Sequence, residues 1–474
     1  VRGEQNRHPV VDVCPLRVVI EFFGGKRQLG HEGEGLAKIR KEKLAPDRIA
    51  RAVMAPVRKA LEFAGRLLCT ELGLHDRLRS RLRVHWRIWY PRGAPATADA
   101  RMSCAMVAAG AKGPGSADRW GMHWDIFCEV VDNFGDVGVC WRLAAELAGR
   151  GQDVRLWIDD AGALAWMAPG GCAGVAVHAL DALDADFVPG DVLLAPFAAR
   201  LPQIALAPIA RAALIRPKAP VVIQLEYLSA EAYVERSHGL RSPVAGGAGA
   251  DLRKWFFFPG FTAASGGLLR EGDIAERQAR FDRAAWLGAR GLRWAGEPVI
   301  SLFCYEPAVL GQWLLATARS PCQLLVTPGR ARAALQRTLR SLPAGWNRDA
   351  FLKIDYLPEL SQREFDHLLW ACDCNFVRGE DSLVRALWAG APMVWQAYPQ
   401  SDDAHFAKLA AFLDWLQAPV SLRQFHQAWN GAAGAELVPL DLVRWRTVIA
   451  RARTRLLAQD DLVSRLLRFV AENR

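Results

Sequence analysis

From Trp124 onward the chain alternates short apolar runs with amphipathic stretches, and turn-forming residues punctuate the changes. Residues 124–131 (WDIFCEVV) predict a buried strand, residues 132–138 (DNFGDVG) a turn with two glycines, and residues 139–151 a helix closed near Gly149 and Gly151. A second strand follows at 154–158 and a helix starts within 159–167. The continuous apolar runs at 191–197 and 220–229 suit parallel strands covered on both faces. Residues 238–254 read as a loop, and 255–262 are strongly aromatic. A mixed-charge linker, 270–291, then leads to a second block with strands at 298–305, 322–328 and 351–358. Its helices open at Glu306-Pro307, with proline in a favoured first-turn place, and at Ser361-x-x-Glu364, a capping box. Two strand–helix blocks joined by one linker predict an α/β fold of two Rossmann-like domains facing across a cleft.

Residues 1–121 lack this alternation. They hold 23 Lys and Arg against 12 Asp and Glu, whereas the rest of the chain holds 37 against 38. The formal charge of +10 therefore belongs to this front segment alone, and no direct nucleic-acid contact is expected of the α/β body. The segment is expected to be a basic extension, either an arm that touches nucleic acid or an acidic partner or translated upstream sequence before a start at Met122, with disorder or poor packing in the second case. The remaining division is 122–285 for an acceptor-side domain and 286–474 for a nucleotide-sugar domain. No run of about 18 apolar residues exists to span a membrane. The ten cysteines are scattered and mostly set in apolar runs, which suits buried thiols in a reducing cytoplasm.

Chemistry concentrates in two turns. Residues 372–395 (CDCNFVRGEDSLVRALWAGAPMVW) read as strand, tight turn, helix and return strand. A helix N-terminus binds phosphate through unpaired N–H groups and the helix dipole, and Arg378 before Gly379 adds a forked guanidinium. Glu380, Asp381 and Ser382 follow. Asp or Ser here also serves as an ordinary N-cap, but three polar groups exceed what a cap needs. A carboxylate pair at a phosphate site is costly unless sugar hydroxyls or a cation engage it. The stretch thus reads as the donor pocket of a nucleotide-sugar enzyme. Phe303 and Tyr305 alternate on a predicted strand and suit either a stacking wall for a base or the core. Gln362, at the mouth of a helix, suits a base edge or a cap. The other turn, Asp132-Asn133-Phe134-Gly135-Asp136, lies at the carboxyl edge of the first strand, where its aspartates either face the cleft or cap the helix.

Seven phrases, DIFCEVVDNFGDVGVCWRLA, VRLWIDD, QLEYLSAE, FFPGFT, FCYEPA, CNFVRGEDSLVRALWAG and YPQSDDAHFAKLAAFLDW, resemble in order the bacterial protein-arginine rhamnosyltransferases of the EarP family. VVDNFGD and NFVRGEDS are the most specific. The resemblance implies a GT-B fold and transfer of L-rhamnose from dTDP-β-L-rhamnose to an arginine of elongation factor P, with inversion and no metal or other cofactor. It also implies a general base at Asp132, a supporting carboxylate at Asp136 and a required glutamate at Glu380. Phe303, Tyr305, Gln362, Arg378, Gly379, Asp381 and Ser382 match positions that hold the donor. One departure is Glu359-Leu360, where the family pattern places an aromatic near the thymine. Two other readings stand beside this one: a GT-B enzyme with a lipid or small-molecule acceptor, and a non-enzymatic nucleic-acid-associated protein acting through the basic arm.

Overall fold

The computed structural model describes residues 121–474 except 131–133, 198, 245–251 and 401. The expectation for residues 1–121 thus lies, but for Gly121, outside the described residues. Among them, seven strands form a first sheet: β1 (His123–Cys128), β2 (Asp153–Ile158), β3 (Val175–Ala179), β4 (Val192–Pro196), β5 (Val221–Leu225), β6 (Arg241–Pro243) and β7 (Arg253–Phe257). They run β3-β2-β1-β4-β5-β7-β6, parallel except for the antiparallel β6–β7 pair. A second, all-parallel sheet contains β8 (Val299–Leu302), β9 (Cys322–Val326), β10 (Leu352–Tyr356), β11 (Cys374–Arg378) and β12 (Met393–Gln396), in the order β10-β9-β8-β11-β12.

The continuous apolar runs become strands because helices cover both faces of each sheet. Trp124, Ile126 and Cys128 of β1 pack with Val137, Leu143 and Leu147 of helix Gly135–Gly149, while Phe127 meets Leu193, Leu206 and Ile209 on the other face. In each sheet the strand order reverses beside the first strand, between β1 and β4 and between β8 and β11. A crevice for ligand opens at the carboxyl ends of strands at such a point. The turn after β1 and the turn after β11 both sit there.

Several elements depart from the sequence expectation. The loop expected over 238–254 contains edge strand β6, and the linker at 270–291 carries helices Ile274–Ala279 and Arg283–Gly288. Asp282 caps the latter, accepting from Ala285 N at 3.0 Å. The helix expected at Glu306-Pro307 starts at Leu310, and Glu306 instead pairs with Arg330. The last helix, Leu462–Asn473, buries Leu462, Val463, Leu466 and Val470 in the core of the first lobe. A boundary at 286–474 therefore leaves out this return. Periodicity marks an amphipathic face but does not say which sheet it covers. The two chain segments that cross between lobes lie side by side: Leu462 N donates to Leu268 O at 2.9 Å, and Arg270 donates to Gln459 O at 3.3 Å.

No described helix is long and apolar enough to cross a membrane. Cys128, Cys140, Cys304, Cys322, Cys372 and Cys374 are buried free thiols, and burial pushes Cys304 and Cys322 up to about 12.

His426 is fully buried. Its Nε2 accepts from Trp395 N at 3.0 Å, and its Nδ1 lies 2.9 Å from Leu422 O, so the ring is held neutral. Burial pulls it down to about 4, despite the Leu422 carbonyl. A folded-state value below the unfolded one means the unfolded chain binds more protons. Stability tied to this ring is complete above about pH 6.5 and falls as pH drops toward 4. Unfolding free energies measured by urea denaturation from pH 7 to 4 should therefore fall, by on the order of 3 kcal/mol for this group. His426→Gln, which keeps an acceptor without titrating, should show a shallower acid slope.

Candidate active site

Arg378 ends β11 in an extended conformation, and Gly379 turns the chain with φ of 67° into helix Gly379–Ala389. A side chain at 379 has room, its Cβ lying 3.6 Å from Tyr305 Oη. The demand for glycine is therefore the left-handed backbone. Trp395 Nε1 holds the turn from below by donating to Gly379 O at 2.7 Å. The cap differs from both sequence alternatives. Arg378 is the capping residue, and Ser382 reaches back from within the helix, accepting from Arg378 N at 3.1 Å and donating to Arg378 O.

Strand β8 ends at Leu302, so Phe303 and Tyr305 lie just beyond it, yet they converge as the alternation required. The Arg378 guanidinium stands 4.6 Å from each of their ring centres. Tyr305 N donates to buried Gln396 Oε1 at 2.8 Å, and Arg330 sits 4.5 Å from the Tyr305 ring. Phe303 meets Phe365 edge-on at 5.4 Å. Cation–aromatic contacts of this kind fix a guanidinium in place without cancelling its charge. Leu360 is buried with Leu357 and Leu368, so that position supplies core.

Three site residues engage the first lobe. Glu380 Oε2 accepts from Leu228 N at 2.8 Å, and Oε1 pairs with Lys408. Leu228 belongs to the loop after β5 yet is buried in the second lobe's core. Asp381 Oδ2 lies 3.5 Å from Arg142 Nε. Gln362, matched by resemblance to the donor, directs its Nε2 to Gly138 O at 2.8 Å. Gly138 permits this close approach: a Cβ there would lie 3.3 Å from both Gln362 Nε2 and Met167 Cε.

Beneath these contacts lies a charge network that the sequence reading missed. Arg142 bridges Glu271 at 2.9 Å, Asp366 at 3.2 Å and Gln362 O at 3.2 Å. Arg385 holds Asp366 at 2.8 and 2.9 Å and Glu271 at 2.6 Å. Both arginines are buried. Burial pushes Glu271 up, but Arg385 and Arg142 outweigh it and hold the carboxyl well below the usual range. Burial dominates at Asp381 and holds its carboxyl above the usual range, against the pull of Arg142 and Arg385. The available signal was Arg142 and Arg385 standing among apolar neighbours in helical stretches.

On the first lobe, Asp132 and Asn133 lie outside the described residues. Phe134 is exposed and meets Trp166 edge-to-face at 5.1 Å. Gly135 opens the helix, and Asp136 is buried in its first turn. This same helix carries Gly138 and Arg142 to the second lobe. Among the described residues no group of three or more His, Cys, Asp and Glu is arranged to hold a metal ion.

Two parallel-sheet lobes that meet at their switch points, one of them offering an arginine-flanked helix N-terminus, define a glycosyltransferase of GT-B architecture. Comparison with known proteins narrows the class: residues 124–471 match the model of the family described as Elongation-Factor P (EF-P) rhamnosyltransferase EarP. The chain belongs to that family. It is 46% identical over 333 residues to a protein-arginine rhamnosyltransferase of Pseudomonas putida, covering 65% of this chain and 86% of that one. Against the protein-arginine rhamnosyltransferase of Pseudomonas aeruginosa it is 43% identical over 383 residues, 74% of this chain and 99% of the relative. A solved structure giving the basis for EarP-mediated arginine glycosylation of translation elongation factor EF-P matches with a TM-score of 0.50 and 32% identity. The match covers 74% of this chain and all 100% of that one.

Removing one partner of a buried ion pair strands the other, which typically costs about 3–5 kcal/mol. Arg142→Met should therefore lower the unfolding free energy measured by urea denaturation by an amount in that range. An unchanged midpoint would show the network to be idle.

Proposed function

We propose that this chain transfers L-rhamnose from dTDP-β-L-rhamnose to one arginine side chain of elongation factor P, with inversion at the anomeric carbon and without a metal or other cofactor. The carrying observation is the family match across both lobes, joined to an arginine fixed at an open helix N-terminus where the lobes meet. A translation factor as acceptor places the reaction in the cytoplasm.

A guanidinium has a pKa above about 12 and is a poor nucleophile while protonated. In this reading Asp132 accepts its proton as the new C–N bond forms, with Asp136 as supporting carboxylate and Glu380 orienting the acceptor. The bond between the anomeric carbon and the phosphate oxygen breaks, and its electron pair leaves on dTDP. Arg378 and the first-turn N–H groups of helix Gly379–Ala389 receive that charge. Phe303 and Tyr305 border the nucleotide, while Gly379, Asp381, Ser382 and Gln362 complete the donor side.

Incubation of elongation factor P with dTDP-rhamnose and this protein should add one rhamnosyl mass, mapped to an arginine by fragment-ion analysis. Asp132→Asn should cut the rate by about 10²–10⁴ at unchanged donor affinity; normal turnover would remove Asp132 from the base role. Arg378→Ala should weaken dTDP binding about 10–100-fold by calorimetry, as expected for a charged hydrogen-bond partner. Equal affinity would place the diphosphate elsewhere.

A further inference from the structure

Glu380 raises an electrostatic problem that its neighbours answer. It occupies the first turn of helix Gly379–Ala389, the same positive end that a diphosphate seeks. Unpaired, its carboxylate would repel the donor. Lys408, from helix Ala404–Leu416, reaches across and pairs with Glu380 Oε1. Both side chains keep only 21% of their surface exposed, so solvent screens the pair weakly. The Lys408 ammonium also lies 5.9 Å from the Tyr227 ring, at the border with the first lobe. Leu228 N holds the other carboxylate oxygen at 2.8 Å, which fixes the orientation of Glu380 but leaves its full negative charge to be balanced. Asp381 next door has its own cation, Arg142, at 3.5 Å.

We propose that Lys408 is a positioning residue for donor binding: its ammonium balances Glu380, so that a carboxylate required for transfer can stand beside a bound diphosphate. The proposal rests on the donor being a nucleoside diphosphate sugar. Lys408 acts through Glu380 and not by touching phosphate. Removing the ammonium therefore harms donor affinity only while residue 380 carries a charge.

A double-mutant cycle read by calorimetry with dTDP tests this. Lys408→Met should weaken dTDP binding about 10-fold, with the loss shrinking as salt is raised. Lys408→Arg, which keeps the charge, should bind within about 3-fold of wild type. In the Glu380→Gln background, Lys408→Met should cost less than about 2-fold, because no charge remains to balance. Thermal melts on all five proteins separate these effects from misfolding. The inference is overturned if Lys408→Met binds dTDP like wild type, or if its loss is the same size in the Glu380→Gln background. Wild-type protein that fails to bind dTDP would instead remove the donor reading itself, and this inference with it.

Discussion

The buried exchange among Arg142, Glu271, Asp366 and Arg385 is the interaction on which the rest of this molecule depends. Arg142 comes from the first lobe, Asp366 and Arg385 from the second, and Glu271 from the segment that crosses between them. Each arginine touches both carboxylates, so no single bond carries the junction. Charges taken out of water demand close partners, and that demand fixes the relative setting of the lobes more sharply than apolar contact does. Three residues near the Arg378 turn inherit this setting. Gln362 bonds to Gly138 O, Asp381 faces Arg142, and Glu380 accepts from Leu228 N. A small shift of one lobe would disturb all three together.

The Arg378 turn shows a complementary arrangement, a guanidinium packed against two aromatic rings. The rings of Phe303 and Tyr305, each 4.6 Å from the guanidinium, hold it at the end of β11. Glycine at 379 and Ser382 behind it shape the backbone so that the helix N-terminus opens in the same direction. The positive end of the helix and a guanidinium thus share one turn. On the opposite lobe the acidic turn opens a helix whose next residues are already engaged in the junction.

The α/β alternation, the turn at Arg378-Gly379 and the shared face of Phe303 and Tyr305 were legible in the sequence, because each follows from local periodicity or turn chemistry. Arg142 and Arg385 were not: their partners lie 224 and 19 residues away at Asp366, and no local pattern encodes such pairing. Ser382 looked like an N-cap because Ser commonly is one, yet the extended backbone at Arg378 takes that place. Gln362 read as suited to a base edge or a cap, and its bond to Gly138 O, 224 residues away, is a partner that no local pattern encodes. The return of helix Leu462–Asn473 to the first lobe was hidden for a different reason, since an amphipathic face carries no address.

That return has a mechanical consequence. The polypeptide passes between the lobes twice, and the two passages are laced together by the bonds from Leu462 to Leu268 and from Arg270 to Gln459. A lobe hung on one strand could swivel freely. Suspended from a paired strap, it is confined to rocking about that strap, like a door on a broad hinge leaf, and each swing must bring the same two rims back into register.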